Sequence, residues 1–197
     1  MAKNKNWKIA TGALLAATTG FAGHDLLEAP EISPPEIQTV EVCECRDEVV
    51  YRAKVARVVD GDTLELADGN KIRIKGMDTP ENTSKVEPFG PESTRVARKL
   101  LEGKVVGLQI TQNEVCDRFG RFLRVVYFTD ENGRQKDFAL HLVEKGLAQV
   151  YVAKDSPARE KLCAAEKTAR DKKLKMWSSK KNRAIFEAKK RKNYSCD

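Results

Sequence analysis

The sequence has very few histidines, and this scarcity narrows the kinds of site that it can build. Only His24 and His141 occur among its 197 residues. Cys43 and Cys45 form one C-x-C pair, and no second pair follows to complete a tetrahedral zinc site. The sequence also lacks G-x-S-x-G and Walker patterns. These absences argue against zinc proteins, triad hydrolases and P-loop enzymes.

Long hydrophobic runs are scarce too, and the one present lies close to the N-terminus. Residues 9–23 read IATGALLAATTGFAG and follow three lysines. This order is typical of a secretory signal peptide, and the run is shorter than the roughly 20 residues that cross a bilayer. We expect residues 1–23 to direct export to the periplasm or the medium. The alternative is a retained anchor, with membrane association through residues 9–23 and the remaining chain outside the cytoplasm.

Acidic residues are in deficit over most of the chain. The net charge is +7, and the part from Val50 onward holds 32 basic and 21 acidic residues, a net charge of +11. A domain with this charge attracts polyanions, of which nucleic acid is the commonest and an anionic membrane surface the next. Solubility alone is the simpler explanation of the same charge.

The chain divides by composition into four parts. After residues 1–23 comes an acidic, proline-containing linker over residues 24–49, followed by one domain over residues 50–178. Residues 179–197 contain seven basic and two acidic residues. We expect this last part to be a solvated basic tail or an additional contact for nucleic acid.

The domain predicts five strands and three helices. Alternating runs indicate three antiparallel strands before residue 79, with a hairpin turn at residues 67–70. A helix follows Pro91 and ends at Gly103, two more strands follow, and helices then begin near Phe138 and Ser156. This order predicts an α+β fold built on a five-stranded oligonucleotide-binding (OB) barrel.

Acidic side chains stand at two strand ends, and two arginines lie near them in the sequence. Asp60 and Asp62 separate the first two strands, and Asp78 follows the third. Oxygen-only ligands of this kind suit calcium or magnesium. Arg73 and Arg121 are suited to clamp a phosphate, because guanidinium donates paired hydrogen bonds. Ordinary turns and exposed strand positions use the same residues, so spacing alone leaves both possibilities open.

Six short segments together resemble the staphylococcal nuclease family. They are VVDGDTL, IRIKGMDTPE, FGPE, DRFGR, EKGLA and LKMWS, and they occur in the family's order over residues 51–178. Any one segment is weak, whereas the ordered set is specific. The resemblance implies the same barrel fold and a phosphodiesterase activity on nucleic acid.

The resemblance also implies roles for individual residues. Asp62 and Asp78 match carboxylates that bind Ca²⁺, and Thr79 matches a residue that contributes its backbone carbonyl. Asp60 matches a neighbouring acid that supports the metal site. Arg73 and Arg121 match the two arginines that hold the scissile phosphate, and Glu81 matches the general base. Whether Glu81 removes the proton or only orients the water stays open.

Three further residues are candidate substrate contacts. Phe119 stands where the family has a tyrosine, so it keeps the capacity to stack on a base but lacks the hydroxyl. Tyr151 is expected either to stack on a nucleotide or to belong to the core. Lys85 is expected to reach phosphate or to solvate its loop. A disulfide between Cys116 and Cys163 is a further hypothesis, with free thiols as the alternative.

Together these features predict a calcium-dependent endonuclease that hydrolyses phosphodiester bonds of DNA, RNA or both. We expect a monomer with nucleic acid as its substrate. The alternative is a catalytically silent OB-fold module that binds nucleic acid, with or without a membrane tether.

Overall fold

A computed structural model describes residues 50–111, 116–189 and 193–196. The predicted signal peptide or anchor at residues 9–23 and the predicted linker at residues 24–49 lie outside these residues. None of the described helices has the length and apolar character that crossing a membrane requires.

The described chain forms eight strands and four helices. The strands are β1 (Val50–Val58), β2 (Thr63–Leu66), β3 (Lys71–Ile74), β4 (Gly76–Asp78), β5 (Val105–Gln109), β6 (Phe122–Thr129), β7 (Gln135–Asp137) and β8 (Gln149–Tyr151). The helices are α1 (Gly90–Leu101), α2 (Phe138–Glu144), α3 (Arg159–Asp171) and α4 (Lys180–Glu187), with a 3₁₀ turn over Lys175–Trp177.

Five strands close into the predicted barrel. Their order is β3-β2-β1-β5-β6, and parallel pairing of β3 with β6 completes the ring. Alternating burial drives this arrangement, because Ile72 and Ile74 of β3 face the core while Arg73 points away from it. The fold class predicted from the sequence is therefore confirmed.

The local turn chemistry also matches the sequence prediction. Asp68 accepts hydrogen bonds from the backbone and side chain of Asn70, and Gly69 adopts a φ of 85°. That positive φ favours glycine, so the tight connection between β2 and β3 follows directly from the Asp-Gly-Asn sequence.

Two short strands, β4 and β8, form a separate two-stranded sheet that pattern analysis does not predict. Asp78 pairs with Gln149 and Gly76 with Tyr151. With three residues each, these strands are too short to show an alternation of their own. Their pairing fixes Asp78 beside the barrel.

The C-terminal part, for which we expect a solvated basic tail or an additional contact for nucleic acid, contains a fourth helix. Ser179 caps α4 by accepting a hydrogen bond from the backbone N–H of Asn182. Phe186 is 1% exposed and packs edge-on against the buried ring of Trp177. Burial of this aromatic pair stabilises a helix whose other side chains are mostly polar.

The disulfide predicted between Cys116 and Cys163 is wrong. Cys163 on α3 is bonded to Cys196, and Cys116 is exposed without a disulfide partner among the described residues. The C-terminal chain lies along α3, where Arg159 donates hydrogen bonds to the carbonyls of Val152 and Ser195. Cysteine counts give no connectivity, so the sequence could not identify this partner.

Candidate active site

The closure of the barrel brings four sequence segments to one end of it. Thr63, directly after Asp62, pairs with Arg73 across β2 and β3. Phe122, directly after Arg121, pairs with Ile72 across β3 and β6. This pairing makes Arg121 and Thr63 neighbours, although they are 58 positions apart in the sequence. Arg121 Nη1 donates a 3.1 Å hydrogen bond to Thr63 Oγ1.

Asp62 is the buried centre of this group, with 6% of the residue exposed. Its Oδ2 accepts hydrogen bonds from the backbone N–H of Thr79 at 2.9 Å and from Thr79 Oγ1 at 3.0 Å. Its Oδ1 accepts one from Thr63 Oγ1 at 3.1 Å. These donors hold the carboxylate in one orientation at the base of the site.

Arg73 lies between two carboxylates. Its Nη1 forms an ion pair with Asp62, and its Nη2 donates to Asp78 Oδ1 at 2.6 Å. Burial lowers the pKa of Arg73, but the charges of Asp62 and Asp78 outweigh burial and raise it overall. The guanidinium is therefore a permanent positive charge. Gln149 steadies the other oxygen of Asp78 at 3.3 Å.

The carboxylates repel one another where they converge. The backbone N–H of Asp62 donates to Asp60 Oδ1 at 3.1 Å. Burial and the charge of Asp62 raise the pKa of Asp60 to about 6. Burial and Asp62 likewise raise the pKa of Asp78, against the opposing effect of Arg73. The site therefore holds more negative charge than Arg73 alone neutralises.

Gly61 allows the loop that carries Asp60 and Asp62 to lie close to Thr79, a role that sequence analysis missed. A Cβ on Gly61 would lie 2.7 Å from Thr79 Oγ1 and 2.8 Å from Thr79 Cγ2. The loop between β1 and β2 can therefore meet Thr79 only with glycine there. The Asp-Gly-Asp sequence looked like an ordinary turn, and its glycine was the available signal.

Glu81 is exposed, and its backbone is fixed on both sides. Its N–H donates to Glu87 Oε2 at 3.0 Å, and its carbonyl accepts from the backbone N–H of Glu87 at 2.9 Å. A side chain on Gly90 would overlap that carbonyl. Partial burial, then the charges of Asp62 and Asp78, raise the pKa of Glu81. The negative charges of Asp62 and Asp78 thus act on the Glu81 carboxylate through space.

Glu87 is a second residue that sequence analysis missed. It is 9% exposed and forms an ion pair with Lys189, beyond α4. Burial raises its pKa, but the hydrogen bonds from Lys189 and from the Glu81 amide outweigh burial and lower it overall. Glu87 lies two residues before the FGPE segment and outside it, so no sequence signal indicated a role.

Arg121 is oriented by the loop that precedes β6. Asp117 accepts from Arg121 Nε at 2.7 Å and from the backbone N–H groups of Phe119 and Arg121 at 2.9 and 3.0 Å. The Thr63 hydroxyl accepts a hydrogen bond from Arg121 and donates one to Asp62. It thereby connects Arg121 to the carboxylate that pairs with Arg73. The Asp117 side chain thus shapes the loop and aims the guanidinium.

The three candidate substrate contacts occupy different places. Phe119 is 69% exposed, and its ring lies 4.8 Å from the guanidinium carbon of Arg118 and 5.5 Å from that of Arg121. Tyr151 is half-buried and stacks on Tyr194 with 4.8 Å between centroids. Both tyrosines line a cavity that Arg73 also borders. Lys85 is exposed in the loop after Glu81.

The predicted metal ligands comprise two carboxylates, Asp62 and Asp78, beside Thr79. No cluster of three or more His, Cys, Asp or Glu side chains arranged to hold a metal occurs in the described ranges. All the available donors are oxygens, and the surplus negative charge around Asp60 and Asp62 favours a cation. These donors fit a hard divalent ion that takes its remaining ligands from water or substrate.

Comparison with known proteins gives a consistent set of relatives. The family described as staphylococcal nuclease homologue matches residues 71–179. A thermonuclease of Staphylococcus hyicus is 32% identical over 133 residues, 64% of this chain and 75% of that protein. An uncharacterized endonuclease of Escherichia coli O157:H7 is 34% identical over 128 residues, 64% and 76% of the two chains. A micrococcal nuclease of Shigella flexneri is 29% identical over 135 residues, 65% and 74%.

Proposed function

The chain belongs to the staphylococcal nuclease family and is an endonuclease by that relationship, and we propose that its activity is calcium-dependent hydrolysis of phosphodiester bonds in DNA, RNA or both. The observation that supports this proposal most is the convergence of Arg73, Arg121 and the carboxylates at one end of the barrel. A phosphodiester is anionic, and positive charge must offset its repulsion before water can attack phosphorus.

We propose that Asp62, Asp78 and the backbone carbonyl of Thr79 hold the calcium ion. Ca²⁺ takes six to eight oxygen ligands in flexible geometry, so three protein oxygens leave room for water and phosphate. When bound, the ion neutralises negative charge on the phosphate and lowers the pKa of a bound water. Asp60 adds negative charge beside Asp62 and thereby strengthens the attraction for the cation.

The two arginines then stabilise the phosphate from different directions. Arg73 is held at the site by its ion pairs with Asp62 and Asp78. Arg121 is more accessible, with 25% of its side chain exposed, and Asp117 holds its Nε side. Charge that develops on the phosphoryl oxygens and the leaving oxygen is stabilised by these two guanidinium groups.

Glu81 supplies the base or orients the water. Its raised pKa makes its carboxylate a stronger proton acceptor than an ordinary glutamate. Its exposed side chain reaches solvent, while the backbone contacts to Glu87 fix the position of the residue. Phe119 beside Arg121 offers an exposed ring on which a base of the substrate can stack.

The test uses the purified full chain with single-stranded DNA, plasmid DNA and RNA, in calcium, in magnesium and with a chelator. We expect cleavage with calcium that the chelator abolishes. Glu81→Gln should lower kcat by about 10²-fold or more, and Arg121→Ala by about 10²-fold. Arg52→Ala, an exposed arginine on β1, is the charge-matched control.

Two outcomes would contradict the proposal. Binding of nucleic acid without cleavage in any metal would identify the silent binding module instead. Unchanged kcat in both Glu81→Gln and Arg121→Ala would place the chemistry elsewhere in the molecule.

We propose, in addition, that the protein acts outside the cytoplasm. The Cys163–Cys196 disulfide supports this location, because disulfides persist in oxidising compartments. N-terminal sequencing of the protein from its native cells tests the route. A start near residue 24 indicates a cleaved signal peptide, a start at residue 1 with membrane fractionation indicates the anchor, and a cytoplasmic fraction contradicts both.

A further inference from the structure

The C-terminal segment, made of α4, Lys189 and residues 193–196, returns to the loop that carries Glu81. Its helical part, α4, is anchored by the packing of Phe186 on Trp177. Arg170 connects it to α3 by a 3.0 Å ion pair with Glu187. Its far end is bonded to α3 through Cys196 and Cys163. The segment is therefore held at both ends, with Lys189 between them.

Lys189 contacts the carboxylate that fixes the backbone of Glu81. Lys189 Nζ pairs with Glu87 Oε2, the oxygen that also accepts the hydrogen bond from the Glu81 amide. The two residues are 102 positions apart in the sequence. Glu87 is buried, and Lys189 is the cation paired with it in the described structure.

We propose that Lys189 is a positioning residue for phosphodiester hydrolysis, acting on Glu81 through Glu87. This inference rests on the proposed function. A buried carboxylate without a countercharge either takes up a proton or moves toward water. Either change weakens or redirects the hydrogen bond to the Glu81 amide, and Glu81 loses its fixed place relative to the attacking water. Displacement of a catalytic group by about 1 Å can cost about 100-fold in rate.

Lys189→Met removes the charge while retaining most of the apolar side chain, and Lys189→Arg restores the charge. The control is Lys181→Met in α4, the helix that precedes Lys189, because Lys181 is exposed and makes no ion pair with any described residue. Both Met variants lower the net charge by one. A general loss of attraction for nucleic acid would therefore affect them equally.

The expected result is a fall of about tenfold in kcat for Lys189→Met, with KM for DNA and calcium affinity unchanged. Lys189→Arg should retain most of the activity, and Lys181→Met all of it. In a Glu87→Gln background, Lys189→Met should cause little further loss, since the main effect of Lys189 passes through Glu87. A merely structural role would instead lower the melting temperature without changing kcat per folded molecule.

Amide hydrogen exchange at Glu81 gives a second measurement that does not require activity. Lys189→Met should speed exchange of this amide, and Lys181→Met should not. If the unmodified protein cuts no nucleic acid, the proposed function fails, and exchange still tests the contact. Unchanged kcat and exchange in Lys189→Met, equal losses in both Met variants, or additive losses with Glu87→Gln would each overturn the inference.

Discussion

At the scale of single residues, the site combines buried acids with fixed arginines at a cost in stability. Asp60, Asp62 and Asp78 converge, and burial with mutual repulsion raises the pKa of Asp60 and of Asp78. Arg73 offsets part of this repulsion through its contacts with Asp62 and Asp78. Such a cluster is typical of a site arranged for a cation, because the ion supplies the missing positive charge.

The pKa of Asp60 leads to a prediction about stability. It rises from 3.8 to about 6 on folding, so the folded protein is favoured while Asp60 is protonated, and this advantage is lost as pH rises from about 4 to 6. With chelator present, the free energy of unfolding of Asp60→Asn should equal that of the unmodified protein near pH 4. At pH 7 it should be higher by about 1–2 kcal/mol, a value that allows for screening by solvent.

Urea unfolding across this pH range measures the difference. Added calcium should reverse it at pH 7, because the ion stabilises the unmodified protein more than the variant. An Asp60→Asn protein that is less stable than the unmodified protein at pH 7 in chelator would contradict the prediction.

At the scale of secondary-structure elements, short pieces outside the barrel position the functional groups. β8 pairs with β4 and brings Gln149 to Asp78. The C-terminal segment brings Lys189 to Glu87 and Tyr194 to Tyr151. The barrel supplies the platform, and these additions hold the side chains that border the site.

The disulfide gives a prediction at this scale. It joins residues 33 positions apart and ties the C-terminal segment to α3. Cys196→Ser should lower the free energy of unfolding by about 2–4 kcal/mol, mainly because the unfolded chain regains freedom. Cys116→Ser, which removes an exposed thiol that has no disulfide partner among the described residues, should change the free energy of unfolding by less than about 0.5 kcal/mol.

Urea unfolding of both variants, with and without reductant, measures this effect. Reductant should lower the free energy of unfolding of the unmodified protein to that of Cys196→Ser, and it should leave the value for Cys196→Ser unchanged. Equal stability of the two variants under non-reducing conditions would show that the cross-link contributes little.

At the scale of the whole molecule, net charge governs the encounter with substrate. The +11 charge from Val50 onward attracts the phosphate backbone from beyond contact distance. Exposed basic residues far from the site contribute to this field. We expect them to affect capture of substrate, and the chemical step to depend on the proposed site around Asp62.

Salt dependence tests this division. Between about 50 and 200 mM NaCl, KM for single-stranded DNA should rise about 20-fold, the loss expected when about three phosphates are neutralised. kcat at saturating calcium should stay nearly constant. The measurement is steady-state cleavage at several salt concentrations, and a KM that does not respond to salt would contradict the electrostatic account.

The fold was largely predictable because the information for it is local. The alternation in β3 and the Asp-Gly-Asn turn specify a hairpin without reference to the remaining chain. The resemblance implied a phosphate site at the ordered acids and arginines, and the barrel brings Asp62, Arg73, Asp78 and Arg121 to one end, where their roles stay a prediction. The short strands β4 and β8 escaped prediction, since three residues show no period.

The sequence by itself determined the strand pattern, the turns, the basic charge and the identity of the groups around Asp62. Tertiary structure alone decided which distant residues meet: Cys163 with Cys196, Lys189 with Glu87, and Thr63 with Arg121. The physical reason is that periodicity reports only which face of an element is buried. The choice among partners far apart in the chain depends on how the whole core packs, and closing a longer loop adds only slowly to the entropic cost.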